Sequence, residues 1–355
     1  MLASDQAISD FALPALDVRA VARRVAAPAL IAVAAVAAVF LLGGRVHAIA
    51  DGLRRGLGVS PGWGVAGAAL EFLSLAGYVA LLSLVAGRAT PRVGARASAQ
   101  ITLAGAAATR LLPTAGAGGV VLTLWALRRA GLGQRAATRT LLAFLVLLYA
   151  VFLGSVVIAG AMLTFGLGGA GGPAELSALP AAAALLGTAL ALALAARRGE
   201  ELRARSGGEA AAGVLRARIG AGAQLIGEAV RDACRLLRAG DPRLAGAFAY
   251  WAFDAAVLWS MLHAFGSPPA LPVIALAYLV GQVANTIPLP GSVSGGMTGV
   301  LIAFGVAPAL ALPAVLCYRA IAVWLPTPVA LAAVPALRAT TAHWGREQAP
   351  AQASA

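Results

Sequence analysis

Residues Ala255 to Tyr318 read AAVLWSMLHAFGSPPALPVIALAYLVGQVANTIPLPGSVSGGMTGVLIAFGVAPALALPAVLCY, 64 positions with no Asp, Glu, Lys or Arg. A bilayer crossing needs about 20 apolar residues in a helix, so this stretch holds roughly three crossings' worth of chain. It cannot be one continuous helix, because Pro268, Pro269, Pro288, Pro290, Gly291, Gly295 and Gly296 interrupt it. An apolar run of this length, broken at defined points, implies helices folded back on one another inside a membrane.

The rest of the chain has the same character. Of 355 residues, 60% are hydrophobic and 12% charged, against about 25% charged in a soluble domain. Further spans are expected at 25–44, at about 62–87 with Glu71 inside, from Thr140 and from Leu176 to Ala196 on either side of a turn at Gly166–Pro173, at about 244–265 with Asp254 inside, and at about 308–336 with Arg319 inside. The leader is too long and too acidic for a signal peptide, so the first span is expected to stay uncleaved. The domain reading is a cytoplasmic N-terminal segment at 1–24, one transmembrane domain at 25–338 with a cytoplasmic amphipathic loop at 197–243, and a disordered cytoplasmic tail at 339–355.

All 27 basic residues are arginine, against 14 acids, for a net charge of +13. Without lysine there is no Walker A loop, no Schiff-base lysine and no Ser-x-x-Lys nucleophile. Ten arginines lie between Arg197 and Arg243 and eight between Arg88 and Arg139, whereas 166–179 and 264–272 have none. The rich segments are assigned to the cytoplasmic side, which with an even number of preceding spans puts both termini inside the cell membrane. No soluble basic domain exists to hold nucleic acid, so membrane lipids are the expected partners, with a second copy or a membrane subunit also allowed. Cys234 and Cys317 are far apart and His47, His263 and His343 are scattered, so neither a disulfide framework nor a metal or other cofactor is expected.

One pattern occurs twice. Pro113-Thr-Ala-Gly-Ala-Gly118-Gly119 and Pro290-Gly-Ser-Val-Ser-Gly295-Gly296 both read Pro-x4-Gly-Gly before a short apolar helix, and the two prolines are 177 positions apart. Each reads as the tip of a re-entrant hairpin: an apolar arm, a proline stop (Pro113; Pro288 and Pro290), glycines that let the backbone turn, and a second arm. Three full spans between them place the tips on opposite faces, an inverted repeat of the kind that sets a site near the midplane. The fold class is therefore all-α and polytopic, with about six full spans and two re-entrant hairpins, or alternatively about eight spans. Two kinked packing helices with Gly-x-x-x-Gly contacts, such as Gly295 to Gly299, are the bland reading of the same pattern.

A charge at the bilayer centre costs at least about 2.5–3.5 kcal/mol, so Glu71, Asp254, Arg319 and Arg110 each need a partner or water. Arg110 stands three residues before Pro113, placed to meet a lipid phosphate held on the amides of Gly118 and Gly119. Gly295, Gly296 and Asn285 line the second tip, with Gln282 one turn before it. Glu71 is a structural alternative partner for Arg110, and Arg319 with Asp254 is the matching candidate pair. The cytoplasmic helix from about Glu209 to Arg238 carries Leu215, Ile219, Ile226, Val230 and Leu237 at helical spacing, so it either lies on the inner leaflet or packs under the bundle.

The run Arg110-Leu-Leu-Pro113, Gly118-Gly119 and Leu127-Arg-Arg-Ala-Gly131 resembles the lysylphosphatidylglycerol synthase transmembrane-region family, the flippase-like multi-spanning proteins. So do Pro288-Leu-Pro-Gly291, Gly295-Gly-Met297, Ala303-Phe-Gly-Val306, Tyr318-Arg319 and Trp324-Leu-Pro326. The resemblance implies a membrane domain that moves or handles lipids; the soluble synthase half of some relatives is not expected here. Relatives commonly carry a longer second Pro-Gly-Gly stretch with an acid before the Gly-Gly. Here Gly291-Ser-Val-Ser294 has none, so a cation-binding role would fall to Glu71 or Asp254. The expected function is a non-enzymatic lipid flippase or translocase for an anionic or phosphate-bearing lipid. The alternatives are a membrane-embedded lipid-linked glycosyltransferase or lipid-modifying enzyme, and an accessory membrane subunit.

Overall fold

The computed structural model describes residues 61–111, 117–167, 174–196, 210–285 and 291–353. The expected first span at 25–44, the N-terminal segment, and the tip prolines Pro113, Pro288 and Pro290 lie outside them. Among the described residues every regular element is a helix: α1 (Pro61–Ala89), α2 (Ala95–Leu111), α3 (Ala117–Arg129), α4 (Gln134–Thr164), α5 (Ala174–Ala196), α6 (Ala210–Arg238), α7 (Ala245–Phe265), α8 (Leu271–Ala284), α9 (Ser292–Ala303), α10 (Pro308–Arg319) and α11 (Thr327–Ala353), with a short 3-10 turn before α7 and one π-helical turn, Ala320–Trp324, between α10 and α11.

Four helical stretches are long and apolar enough to cross a membrane: Gly62–Ala89, Gln134–Thr164, Pro242–Phe265 and Pro308–Glu347. α1 and α7 form the most extensive pair. They touch backbone to backbone at two glycines: a Cβ on Gly246 would lie 2.3 Å from the Gly77 carbonyl oxygen, and one on Gly77 would lie 2.8 Å from that of Gly246. Ser74, one turn away, donates its hydroxyl to the Tyr250 carbonyl at 2.9 Å. Gly67 completes the stripe against Ser260 and Met261. Small residues at 67, 74 and 77 recur at helical spacing, and in lipid, where apolar side chains gain little by leaving the tails, such close backbone approach is what holds helices together.

The pair is antiparallel, and its two ends differ. At one end Trp63 packs on Trp259 and His263, with ring centroids 5.6 and 5.0 Å away. At the other, Arg88 stands 3.7 Å from Asp241. α4 lines the core with Leu141, Phe144, Leu148, Phe152, Val156 and Leu163. It is tied to α7 by Trp251, whose indole N–H donates to the Leu148 carbonyl at 2.8 Å.

Four of the remaining helices form two short pairs, α2 with α3 and α8 with α9. α2 and α3 have 17 and 13 residues, α8 and α9 have 14 and 12. At 1.5 Å per residue these arms are roughly 18–25 Å long, less than the ~30 Å of a hydrocarbon core. α2–α3 packs on α1, α4 and α11, and α8–α9 on α4, α7 and α10.

Of the two placements expected for α6, the structure shows the packed one: Ala229, Val230, Ala233 and Leu236 are buried, and the helix packs on α4 and α5. Ion pairs from Arg139 and Arg135 of α4 to Asp232 and Glu228 add to this contact. The segment read as a disordered tail from 339 instead continues α11 to Ala353. Thr341 and Trp344 are buried, and Thr340 donates to Gln100 of α2 at 2.8 Å. Leu337, Thr341 and Trp344 recur at helical spacing, so one face of the segment has a neighbour to cover despite its polar composition.

Candidate functional site

The intramembrane charges and the two hairpins define the region to build. Asp254 sits midway along α7 and is 8% exposed; Glu71 on α1 is 5% exposed. The Gly77–Gly246 and Gly67–Ser260 contacts bracket them, so the two carboxylates stand at the same level of the α1–α7 pair. Both lie close enough to interact electrostatically with Tyr250 and Tyr318.

Asp254 is held from α8. Tyr278 donates its hydroxyl to Asp254 Oδ2 at 2.7 Å, and Gln282, one turn on, brings Nε2 to 3.4 Å from the same oxygen. Gln282 also donates to the Tyr318 hydroxyl of α10 at 3.3 Å, closing a network over three helices. Tyr278 and Tyr318 are each 1% exposed while Gln282 is half-buried, so of these side chains it is Gln282 that brings the network toward the surface of the bundle. The other carboxylate oxygen, Asp254 Oδ1, is buried with no hydrogen-bond partner among the described residues. A buried acceptor left without a donor costs about 1–3 kcal/mol, and more when charged. The cost is incurred at one atom, in the most polar part of an apolar core.

Arg319 and Asp254 make no direct ion pair among the described residues: the guanidinium acts on the carboxylate through space, and the carboxylate is bound by tyrosine and glutamine. Adjacent residues on a helix point about 100° apart, and on α10 it is Tyr318 that faces α7. Arg319 is half-buried and immediately precedes the π-helical turn. Such turns lie frequently at functional sites.

Arg110 lies on the last turn of α2, with its side chain outside the described residues. The glycines beside it do not have the role expected of them. The Gly119 amide donates to Thr109 Oγ1 at 2.9 Å, and that hydroxyl donates in turn to the Gly105 carbonyl at 3.0 Å. Gly118 is likewise engaged. A Cβ on Gly118 would lie 2.7 Å from the Ala108 carbonyl oxygen, and one on Gly119 would lie 2.9 Å from Thr109 Oγ1. The Gly119 amide is thus satisfied inside the hairpin rather than turned to a phosphate, and both glycines let the two arms touch.

The second hairpin repeats the arrangement. A Cβ on Gly281 would meet the Met297 side chain at 2.3 Å, and one on Gly296 would lie 3.5 Å from the Gly281 Cα and 3.2 Å from the Ala284 Cβ. Gly295 has open space around it, and its amide is bonded to the Gly291 carbonyl at 2.7 Å. Gly291 itself, at φ +84°, starts α9 in a conformation that favours glycine. Asn285 is exposed at the end of α8. Gly105 and Gly281 lie outside the Pro-x4-Gly-Gly pattern, each in the first arm, eight or nine residues before the proline. Tyr278 is hidden in an uninterrupted apolar run, and its one sequence signal is the i, i+4 spacing to Gln282.

Among the described residues no three or more His, Cys, Asp or Glu side chains come together as a metal site. No curated protein matches the chain. The family described as the lysylphosphatidylglycerol synthase TM region matches residues 11–330, which takes in both hairpins, the buried carboxylates and all but the end of the bundle. With helices long enough to span, paired short helices and a match over most of its length, the chain belongs to the lysylphosphatidylglycerol synthase transmembrane-region family of membrane domains.

Proposed function

We propose that this protein is a lipid translocase of the flippase type, which gives the headgroup of an anionic or phosphate-bearing lipid a polar route through the cell membrane without changing it chemically. The observation that supports this reading is Asp254. A carboxylate at the centre of a spanning helix, bound through one oxygen and partnerless at the other, is retained against its desolvation cost when it serves a passing donor. From Arg243 at the basic end, Asp254 is eleven residues along the helix, or about 16 Å at 1.5 Å per residue, which is half the thickness of a hydrocarbon core.

In this reading the short hairpins enter and leave from one face each and wall the route. The headgroup hydroxyls or amines meet Asp254, Tyr278 and Gln282. With the Gly119 amide engaged, the phosphate falls to Arg110 at the end of α2. The arginine-rich end is the cytoplasmic one, as the charge asymmetry requires.

The test is translocation of a fluorescent phosphatidylglycerol in vesicles reconstituted with the full chain, read by the fraction of probe protected from a membrane-impermeant quencher. Asp254→Asn and Arg110→Ala are each expected to slow exchange at least tenfold while the protein still inserts. Exchange at the unmodified rate in both variants refutes the assignment.

A further inference from the structure

A cavity of about 410 Å³ opens at the basic end of the bundle, between α1, α4 and α6. That is within the range of about 300–1,000 Å³ typical of small-molecule sites. Arg88 comes from the last turn of α1, Arg139 from the start of α4, and Arg235 with Asp232 from α6; Val85 and Leu236 provide apolar wall. Three guanidinium groups against one carboxylate leave the lining at +2.

The arginines are positioned without being used up. Asp232 accepts from Arg139 through both oxygens, with Arg139 Nη2 at 2.6 Å from Oδ1, and also from Arg235. A guanidinium has five N–H donors, so Arg139 and Arg235 keep most of theirs. Arg88 is less committed still. It stands 3.7 Å from Asp241, beyond hydrogen-bond range, and Asp241 is already held by Arg243 at 3.0 and 2.8 Å. One carboxylate thus fixes two guanidinium groups in place, and a third faces the same space.

We propose that this cavity binds a phosphate ester, with the guanidinium groups of Arg88, Arg139 and Arg235 on its oxygens and the apolar wall against the carbon attached to it. A planar fork of N–H donors matches phosphate geometry, and the surplus of +2 matches a singly or doubly charged phosphate. The group is carried either by a lipid headgroup at the membrane boundary or by a soluble phosphate compound. Only the lipid source rests on the membrane placement proposed above. The site lies at the end of the bundle, away from Asp254.

The experiment measures thermal unfolding of the full chain in detergent micelles doped with phosphatidylglycerol or with diacylglycerol, which has no phosphate, and separately with inorganic phosphate against chloride at equal ionic strength. Two variants accompany it: the double variant Arg88→Gln, Arg235→Gln, and Ala136→Trp, which fills the cavity from α4 and leaves every charge in place. The expected result is stabilisation of the unmodified protein by phosphatidylglycerol but not diacylglycerol for a lipid-borne phosphate, or by inorganic phosphate alone for a soluble one, with apparent affinity reduced at least tenfold in both variants. If the double variant does not fold, Ala136→Trp decides. Equal stabilisation by both lipids with none by phosphate, or unchanged affinity in a folded variant, overturns the proposal. Because the readout is binding, a protein that binds phosphatidylglycerol here yet fails to translocate it counts against the translocase reading and leaves this site standing.

Discussion

Gly246→Ala adds one methyl group at the α1–α7 crossing, and its effect follows from where that carbon would sit. The new Cβ would lie 2.3 Å from the Gly77 carbonyl oxygen and 3.2 Å from the Leu81 backbone nitrogen. Both are main-chain atoms of a helix packed along its whole length, so neither can turn aside as a side chain would, and the helices must separate. Overpacking of this kind costs about 1–3 kcal/mol, and a rigid obstacle puts it near ~3 kcal/mol. The control is Gly154→Ala, on α4, where a Cβ meets nothing within 4 Å. There the substitution removes only glycine's conformational freedom, a gain of about 0.4–1 kcal/mol. The same chemical change is thus expected to shift stability in opposite directions, with a gap of roughly 3–4 kcal/mol, or two to three decades in the folding equilibrium. Unfolding in mixed micelles of mild detergent and dodecyl sulfate, followed by tryptophan fluorescence, measures both variants on one scale. A Gly246→Ala protein within about 0.5 kcal/mol of Gly154→Ala would refute the close backbone contact on which the bundle geometry rests.

Trp251→Phe keeps the ring but deletes the donor to the Leu148 carbonyl, and is expected to cost about 1 kcal/mol in the same unfolding assay. Asp254→Asn is expected to leave stability within about 1.5 kcal/mol of the unmodified protein, since it removes a buried charge while its amide oxygen still accepts from Tyr278, and translocation is expected to fall at least tenfold; parallel losses in both would make the residue structural. Partial burial pushes the Asp232 carboxyl up, but the guanidinium groups of Arg139 and Arg235 outweigh it and hold the group below the usual carboxylate range. Its contribution to stability is therefore present above about pH 4 and lost as pH falls through the lowered value; Asp232→Asn should flatten the acid limb of a stability–pH curve, and an unchanged limb would show that the pair contributes nothing.

The elements that were legible in the sequence are those whose signal lies within one segment. α1 and α7 match the expected spans to within a few residues, because uninterrupted apolar length and the flanking arginines are local properties. That two pairs of short helices pack together was legible from Pro-x4-Gly-Gly. What the glycines do there was not, because an exposed amide and a close backbone approach both call for glycine. Only the partner arm, with Gly105 or Gly281, tells the two uses apart. That Arg319 makes no direct contact with Asp254 was illegible for a related reason: hydropathy shows that both lie in apolar segments, but a rotation of about 100° between Tyr318 and Arg319 determines which one reaches α7.

The polarity of the α1–α7 pair connects these features. One end holds Trp63, Trp259 and His263, and the other Arg88, Asp241 and Arg243. Aromatic rings and guanidinium groups both favour a membrane boundary, so the two ends mark the two boundaries and fix the pair's depth without reference to any other helix. Glu71 and Asp254 then fall between them, where a carboxylate is most costly, and the tight glycine contact at Gly77 and Gly246 lies on the basic side of that level. A crossing clamped on one side of two buried acids leaves the other side, toward Gly67 and the π-helical turn after Arg319, as the part of the interface free to respond when Asp254 gains or loses a partner. There a Cβ on Gly67 would meet only side-chain atoms, of Ile321, Met261 and Ser260, rather than backbone. If the protein translocates lipid as proposed, the accompanying movement is expected at that end, with α10 and the π-helical turn shifting against α1 while the Gly77–Gly246 contact holds.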